Sequence, residues 1–174
     1  MPKHRSTIAV ALIRDAMNDR TERSNASPWP PIVYVVAIAV AILAGFVYPL
    51  PWLPSPLSEL AFAAGVVVIA GAIAIEVTAM RALKRSNTTV LPTKRTDHLV
   101  SNGPYSFTRN PIYLGNTMLV LGAGLVFGLL WFLPAAFVAA FATSKLAIER
   151  EEKHLEHRFG RAYRDYCKKV RRWI

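Results

Sequence analysis

The chemically most distinctive run in the sequence is Arg109-Asn110-Pro111, which directly precedes a segment without charges. Pro111 suits the first turn of a helix, because proline has no N–H and its φ angle is preset. Free backbone N–H groups in that turn can hold a carboxylate, and an arginine beside them adds positive charge. The same run is also typical of an ordinary helix start whose arginine faces lipid phosphates. Both interpretations stay open at this point.

A second candidate is Glu76, which follows the uncharged stretch 60–75. A carboxylate near the inner end of an apolar helix is costly if it faces lipid. We therefore expect it either to face other helices or to extend toward Arg81. The single cysteine, Cys167, excludes an intramolecular disulfide and argues against a cysteine-based metal site, so we predict a packing role for it and no metal.

The elements that must position these residues are membrane helices. The 174 residues are 53% hydrophobic, and residues 24–58, 60–75 and 111–144 contain no charge. A bilayer excludes ionised side chains and needs ~20 apolar helical residues per crossing. Residues 32–47 and 61–75 are apolar all round, unlike a core helix of a soluble protein. The sequence predicts an all-α integral membrane protein with about four transmembrane helices, a cytoplasmic loop and a C-terminal amphipathic helix.

The first two spans are predicted at about 32–48 and 57–83, on either side of a proline-rich linker that cannot be helical throughout. The uncharged segment 111–144 must hold two helices around a turn at Gly128–Pro134. Each helix would have ~16 residues and a length of ~24 Å, so this hairpin is expected to stop short of the far surface or to thin the bilayer.

Small residues and a change of periodicity mark the remaining elements. Gly115, Gly122 and Gly124 would allow the helices of the second hairpin to pack closely. Ser6 or Thr7 would cap a short amphipathic helix on the membrane surface. From about Lys145 an apolar stripe runs through a charged background, and Gly160 is expected to divide this segment into two short helices. The members of the stripe are Leu155, Phe159, Ala162, Tyr163 and Tyr166.

The basic residues indicate the orientation. Five Lys and Arg residues lie in 1–23, six in 81–109 and ten in 145–174, whereas the two predicted outer turns contain none. The positive-inside rule therefore places both termini and the loop at 81–110 in the cytoplasm. The net charge of +10 is spread over these segments rather than over one globular face, so we predict no nucleic-acid partner. The run Lys168–Arg172, beside Trp173, is predicted to contact anionic lipid head groups.

Several motifs with fixed spacing resemble one known family. The segments are Leu99-Val100-Ser101-Asn102-Gly103-Pro104-Tyr105, then Arg109-Asn110-Pro111-Ile112-Tyr113-Leu114-Gly115, and finally Glu151-Glu152 with Leu155, Phe159-Gly160, Tyr163 and Tyr166. They are similar to the patterns L-V-x-x-G-x-Y, R-H/N-P-x-Y-x-G and E-E-x-x-L-x-x-x-F-G-x-x-Y-x-x-Y of the isoprenylcysteine carboxyl and phospholipid methyltransferases. The resemblance covers about residues 85–170. Together with the uncharged segments and the distribution of Lys and Arg, it predicts three regions: a cytoplasmic N-terminal segment (1–31) that can carry an interfacial amphipathic helix, a first transmembrane hairpin (32–83) and a methyltransferase-like core (84–174).

The resemblance implies S-adenosyl-L-methionine as the cofactor, in a pocket formed by the cytoplasmic loop and the C-terminal helix. The cofactor-binding residues carried over are Asp97, His98, Leu99, Val100, Tyr105, Asn110, Pro111, Ile112, Tyr113 and Glu151, and Arg109 and Glu151 are the residues expected to act in catalysis. A sulfonium cofactor has a fixed positive charge and an amino group. A carboxylate and aromatic faces suit such a ligand, and Glu151, Tyr105 and Tyr113 supply them.

The methyl acceptor is expected to be a hydrophobic or lipid-like molecule that enters sideways between the helices. Asn110 stands where the eukaryotic carboxyl methyltransferases have histidine, and Ala147 where they have a substrate-facing arginine, so the acceptor stays open between a carboxylate, an amine and a thiol. An amine must lose a proton, in which case Glu152 or Glu76 would matter. The oligomeric state also stays open, and the compactness of the chain favours a bacterial cell membrane.

Two other classes remain. Phe159-Gly160, Tyr163, Tyr166-Cys167 and Val170 resemble the C-terminal pattern of NADPH-dependent sterol-type reductases. Those enzymes have many more spans than the four predicted here. The second alternative is a non-enzymatic membrane protein that binds a lipid or a partner without turnover.

Overall fold

The computed structural model describes residues 29–86 and 99–174, and every regular element in these two ranges is a helix. The predicted surface helix near the N-terminus, Asp97 and His98 lie outside them. The elements are α1 (Trp29–Val47), α2 (Leu57–Arg85), a 3-10 turn (Gly103–Ser106), α3 (Pro111–Phe127), α4 (Phe132–Thr143), a π-helical turn (Ser144–Ile148), α5 (Glu149–Phe159) and α6 (Arg161–Lys169).

The helix lengths and surfaces are those of an integral membrane protein, as predicted. Three helical stretches are long and apolar enough to cross a bilayer: Pro30–Val47, Leu57–Arg85 and Phe132–Phe159. Large apolar side chains cover the outward faces of the first two, including Val35, Leu43, Phe46 and Val67. Helix α3 is apolar but has 17 residues, a length of about 25 Å, so it is shorter than a bilayer core of ~30 Å.

Glycines set the distance between the helices. Helix α2 packs along α3, α3 packs on α4, and α1 packs on α4. A Cβ at Gly122 would lie 2.6 Å from Ile69 Cγ1 and 3.0 Å from the carbonyl oxygen of Gly65. A Cβ at Gly124 would lie 2.7 Å from Phe132 Cβ. The close approach predicted within the second hairpin is confirmed at Gly124, whereas Gly122 allows α3 to approach α2 instead.

The two outer turns contact each other. Residues 49–56 form no helix, as their prolines predict. The Trp52 ring lies against Gly128. Gly128 ends α3 with a φ of 68°, a left-handed conformation that favours glycine. The predicted turn at Gly128–Pro134 is too long. Helix α4 already begins at Phe132, because proline is tolerated in the first turn, where Pro134 lies.

The charged C-terminal segment is not separate from the last membrane helix, which corrects the predicted boundary near Lys145. Helix α4 continues through the π-helical turn into α5, since no glycine or proline interrupts residues 135–159. The break predicted at Gly160 is confirmed, with a φ of 50°. In the apolar stripe Tyr163 is buried, but Ala162 is exposed and does not belong to it.

Candidate functional site

Three of the residues predicted to bind the cofactor lie close together at the start of α3. The Tyr113 hydroxyl, in the first turn of α3, donates to Glu151 Oε2 at 3.4 Å. Tyr105, in the 3-10 turn, is close enough to Glu151 for its ionisation to be affected by that carboxylate. We call these three residues the inner cup.

Helix α1 fixes the position of Tyr113. The Tyr34 hydroxyl donates to the carbonyl oxygen of Tyr113 at 3.1 Å and lies 2.7 Å from Thr117 Oγ1. Tyr34 is 6% exposed, so these bonds form in an apolar interior, where an unpaired hydroxyl would be costly. The sequence analysis missed this residue. Tyr34 places a hydroxyl group inside an otherwise apolar span. A buried tyrosine hydroxyl usually has a hydrogen-bond partner, and this expectation could have identified the residue from the sequence.

The C-terminal helix holds Tyr105 in place. The Tyr166 hydroxyl donates to the carbonyl oxygen of Tyr105 at 2.6 Å. Burial raises the pKa of Tyr166 to about 12 and the pKa of Tyr105 further above its ordinary value. Both hydroxyl groups are therefore neutral near pH 7, and both rings present uncharged aromatic faces.

The Arg109-Asn110 run binds the C-terminal segment of the chain. The Arg109 backbone N–H donates to the carbonyl oxygen of Arg171 at 3.0 Å. Thr108 Oγ1 and Asn110 Nδ2 both donate to the carbonyl oxygen of Arg172, at 3.2 and 3.0 Å. Thr108 and Asn110 are buried. Arg109 and Asn110 therefore bind the C-terminal segment of the chain next to the inner cup.

The adjacent glutamates have different partners. Glu152 accepts from Arg172 Nη2 at 2.5 Å and forms an ion pair with Arg109 Nη1 at 3.0 Å. The same Arg109 nitrogen donates to Cys167 Sγ at 2.9 Å, so Cys167 has a polar contact in addition to packing. Glu151, one residue earlier, lies instead beside Tyr113. No local sequence pattern indicated that Arg172 would bind Glu152.

Four of the other carried-over residues lie in the described ranges, close in the chain to Tyr105 or Tyr113. Pro111 is buried at the start of α3 and Ile112 is half-buried beside it. Leu99 and Val100 are half-buried ahead of the 3-10 turn. Within residues 29–86 and 99–174, no cluster of three His, Cys, Asp or Glu residues could hold a metal ion.

The ion pairs with Glu152 give a stability prediction. Arg172→Ala removes the 2.5 Å contact with a carboxylate that is 17% exposed. A hydrogen bond to a charged group contributes ~1.5–3 kcal/mol, so we expect the free energy of unfolding to fall by about 2 kcal/mol. Lys168→Ala is the control, because the Lys168–Asp165 pair is exposed and such pairs contribute ~0–1 kcal/mol. Thermal unfolding in detergent measures both; equal melting temperatures would contradict the prediction.

Two known proteins are similar to part of this chain. The Delta(14)-sterol reductase TM7SF2 of Mus musculus is 33% identical over 81 residues, which is 46% of this chain and 19% of that protein. The Delta(14)-sterol reductase LBR of Gallus gallus is 33% identical over 88 residues, 50% of this chain and 14% of that protein. The chain thus spans less than a fifth of each of these relatives.

The sequence pattern of the phospholipid methyltransferase family matches residues 60–162. That range is more than half of the chain, and it contains most of α2, the 3-10 turn, the π-helical turn, helices α3 to α5 and all three residues of the inner cup. The chain therefore belongs to the phospholipid methyltransferase family.

Proposed function

We propose that this membrane protein transfers a methyl group from S-adenosyl-L-methionine to a lipid-like acceptor. The observation that carries the proposal is the pairing of Glu151 with Tyr113 at the inner ends of the helices, beside Tyr105. When bound, the cofactor supplies a methyl group on a cationic sulfur, and attack by an acceptor lone pair breaks the methyl–sulfur bond and leaves its electron pair on sulfur.

The residues of the inner cup fit such a cofactor. The Glu151 carboxylate can accept hydrogen bonds from its ammonium group, and the neutral rings of Tyr105 and Tyr113 attract a cation over their faces. Tyr34 and Tyr166 hold Tyr113 and Tyr105, respectively, through hydrogen bonds to their backbone carbonyl groups. The cup is thus preorganised by helices α1 and α6, and positioning of this kind can supply much of the rate of a displacement reaction.

The contacts that hold the C-terminal segment would close the proposed cofactor site on its cytoplasmic side. Arg109 and Arg172 both bind Glu152, the residue next to Glu151 in α5. We propose that this arrangement limits the access of water to the reacting atoms. Arg109 then acts as a positioning residue for the C-terminal segment, in addition to the catalytic role that the family resemblance implies.

Ligand binding tests the proposal directly. Isothermal calorimetry of the purified protein in detergent is expected to detect S-adenosyl-L-methionine or its demethylated product, and to detect no NADPH. Equal or tighter binding of NADPH would favour the sterol-type reductase alternative, which the partial similarity to the two Delta(14)-sterol reductases supports. Binding of neither ligand by folded protein would favour a non-enzymatic lipid-binding role.

We also propose a surface contact with anionic lipids at the basic tail. Lys168, Lys169 and Arg171 are exposed, whereas Arg172 is turned inward to Glu152. Exposed basic residues near a membrane surface each contribute ~1 kcal/mol to binding of anionic lipids. The cytoplasmic orientation of both termini and the bacterial cell membrane belong to the same proposal, and they rest on the distribution of Lys and Arg and on the compactness of the chain.

A further inference from the structure

Helix α2 carries two carboxylates, and their surroundings differ. Glu76 lies against α3, where a Cβ at Gly115 would be 2.7 Å from Glu76 Oε1. That oxygen is shielded from solvent and has no hydrogen-bond partner among the described residues. Glu76 therefore faces another helix rather than extending toward Arg81, which is exposed. Glu59, in the first turn of α2, is exposed and borders a cavity.

This cavity lies at the outer turns, at the opposite end of α3 from the inner cup. Its volume is about 360 Å³, and we call it the outer cavity. Helix α3 has Tyr113 near its start and Phe127 as its last residue, so the outer cavity is ~21 Å from Tyr113 along the helix axis. It is therefore separate from the proposed cofactor site. The polar and aromatic side chains that line it are those of Trp52, Ser58, Glu59, Phe62 and Phe127.

The charge of the outer cavity is negative. Glu59 is the only ionisable residue among those that line it, and its Oε1 accepts a hydrogen bond from Ser55 Oγ at 2.9 Å. In the described ranges every Lys and Arg lies in 81–85, at 109 or in 145–172, toward the other end of the bundle. No described basic side chain thus compensates Glu59. A phosphate or carboxylate ligand would find no cationic partner among these residues.

The walls of the outer cavity are aromatic. A Cβ at Gly128 would lie 3.2 Å from Trp52 Cγ and Cδ2, so the indole ring rests directly on the turn that ends α3. Phe62 and Phe127 are 52% and 70% exposed, which leaves their rings available to a ligand. Aromatic faces attract cations, and quaternary ammonium groups are commonly bound between such rings beside an acidic group. A preformed pocket of this kind suits a ligand with both a positive charge and an apolar surface.

We infer that the outer cavity binds a small organic ammonium cation, with Glu59 as its counter-ion and Trp52 as its aromatic wall. A metal ion would need several oxygen ligands, whereas only Ser58 and Glu59 offer side-chain oxygen atoms here. A neutral ligand would gain nothing from the uncompensated carboxylate. The inference goes beyond methyl transfer and does not depend on it, because the outer cavity and the inner cup share no residue.

Calorimetric titration with tetramethylammonium chloride tests the inference on the whole protein in a non-ionic detergent. We expect a dissociation constant of about 1 mM for a cavity with one charge and open aromatic walls. Sodium chloride matches the charge and tert-butanol approximates the size, and neither should bind. Glu59→Gln removes only the charge and should weaken binding about tenfold, as for the loss of one charge-assisted contact. Equal binding of sodium or of tert-butanol, or unchanged binding by Glu59→Gln, would overturn the inference.

Two control variants separate ligand binding from an effect on the helix start. Ser55→Ala removes the hydrogen bond to Glu59 but keeps the charge, so it should bind tetramethylammonium as the unchanged protein does. A loss equal to that of Glu59→Gln would identify a role in helix geometry and contradict the inference. Trp52→Phe keeps an aromatic wall, so calorimetry should still detect binding. The change in tryptophan emission on binding should disappear, because Trp131 and Trp173 do not line the cavity. Persistence of that change would place the ligand elsewhere and overturn the assignment.

Bilayer discs distinguish a free cation from the head group of a lipid. The discs contain a lipid that has a trimethylammonium head group and no phosphate, and tetramethylammonium is titrated as before. Weaker apparent binding than in discs without that lipid would show competition and identify a lipid head group as the ligand. Equal binding would identify a free cation from the aqueous phase. Both results support an ammonium site in the outer cavity, and absence of tetramethylammonium binding in discs and in detergent alike would contradict it.

Discussion

Glu151→Gln is expected to weaken the binding of S-adenosyl-L-methionine by about ten- to a hundredfold, because a hydrogen bond to a charged partner contributes ~1.5–3 kcal/mol. The substitution keeps the size of the side chain and its ability to accept the Tyr113 hydroxyl bond, which at 3.4 Å is long. Only the negative charge offered to the cationic cofactor is lost. The melting temperature without ligand should therefore change little.

Calorimetry with Glu156→Gln as the matched control checks this result. Glu156 lies on the same helix, α5, but its side chain is 52% exposed and pairs loosely with Arg164 at 3.6 Å. Glu156→Gln should bind the cofactor as the unchanged protein does. If the two variants bind equally well, Glu151 is not the cofactor-binding carboxylate. If Glu151→Gln unfolds the protein, Glu151 has a structural role in the C-terminal segment instead.

The membrane helices could be predicted from the sequence because the bilayer imposes a simple rule. Charges are excluded from the spans, so the uncharged segments mark them within a few residues, and the prolines of 49–56 mark the outer turn. The limits of the prediction lie where local signals are weak. Pro134 was assigned to a turn although a helix accepts proline in its first turn, and nothing in the residues near Lys145 indicates a π-helical turn that keeps the helix continuous.

The site could be predicted in part for a different reason. Tyr105, Tyr113 and Glu151 belong to motifs of fixed spacing, and the fold brings these three residues to one place. Contacts between distant segments carry no local signal. Tyr34 is 79 residues from Tyr113, and Arg172 is 62 residues from Asn110, so neither pairing has a periodicity that could have revealed it. The neighbouring glutamates likewise look equivalent in sequence, and only the position of the C-terminal segment distinguishes Glu151 from Glu152.

The largest expected effect on folding is at Gly122, where α2 and α3 are in backbone contact. Gly122→Leu places a side chain where even a Cβ would lie 2.6 Å from Ile69 Cγ1 and 3.0 Å from the Gly65 carbonyl oxygen. A backbone atom cannot move aside as the end of a flexible side chain can, so the two helices must separate. Overpacking usually costs ~1–3 kcal/mol and sometimes more, and we expect a loss of about 3 kcal/mol in the free energy of unfolding.

Gly45→Leu is the matched control, because both variants replace a helical glycine by leucine and gain the same helix propensity. A Cβ at Gly45 would lie 4.0 Å from Trp131 Cδ1, an ordinary contact, and the rest of the side chain can extend toward lipid. Thermal unfolding in detergent should therefore show a much lower melting temperature for Gly122→Leu and almost no change for Gly45→Leu. Equal melting temperatures for the two variants would show that α2 and α3 do not pack as closely as their glycines indicate.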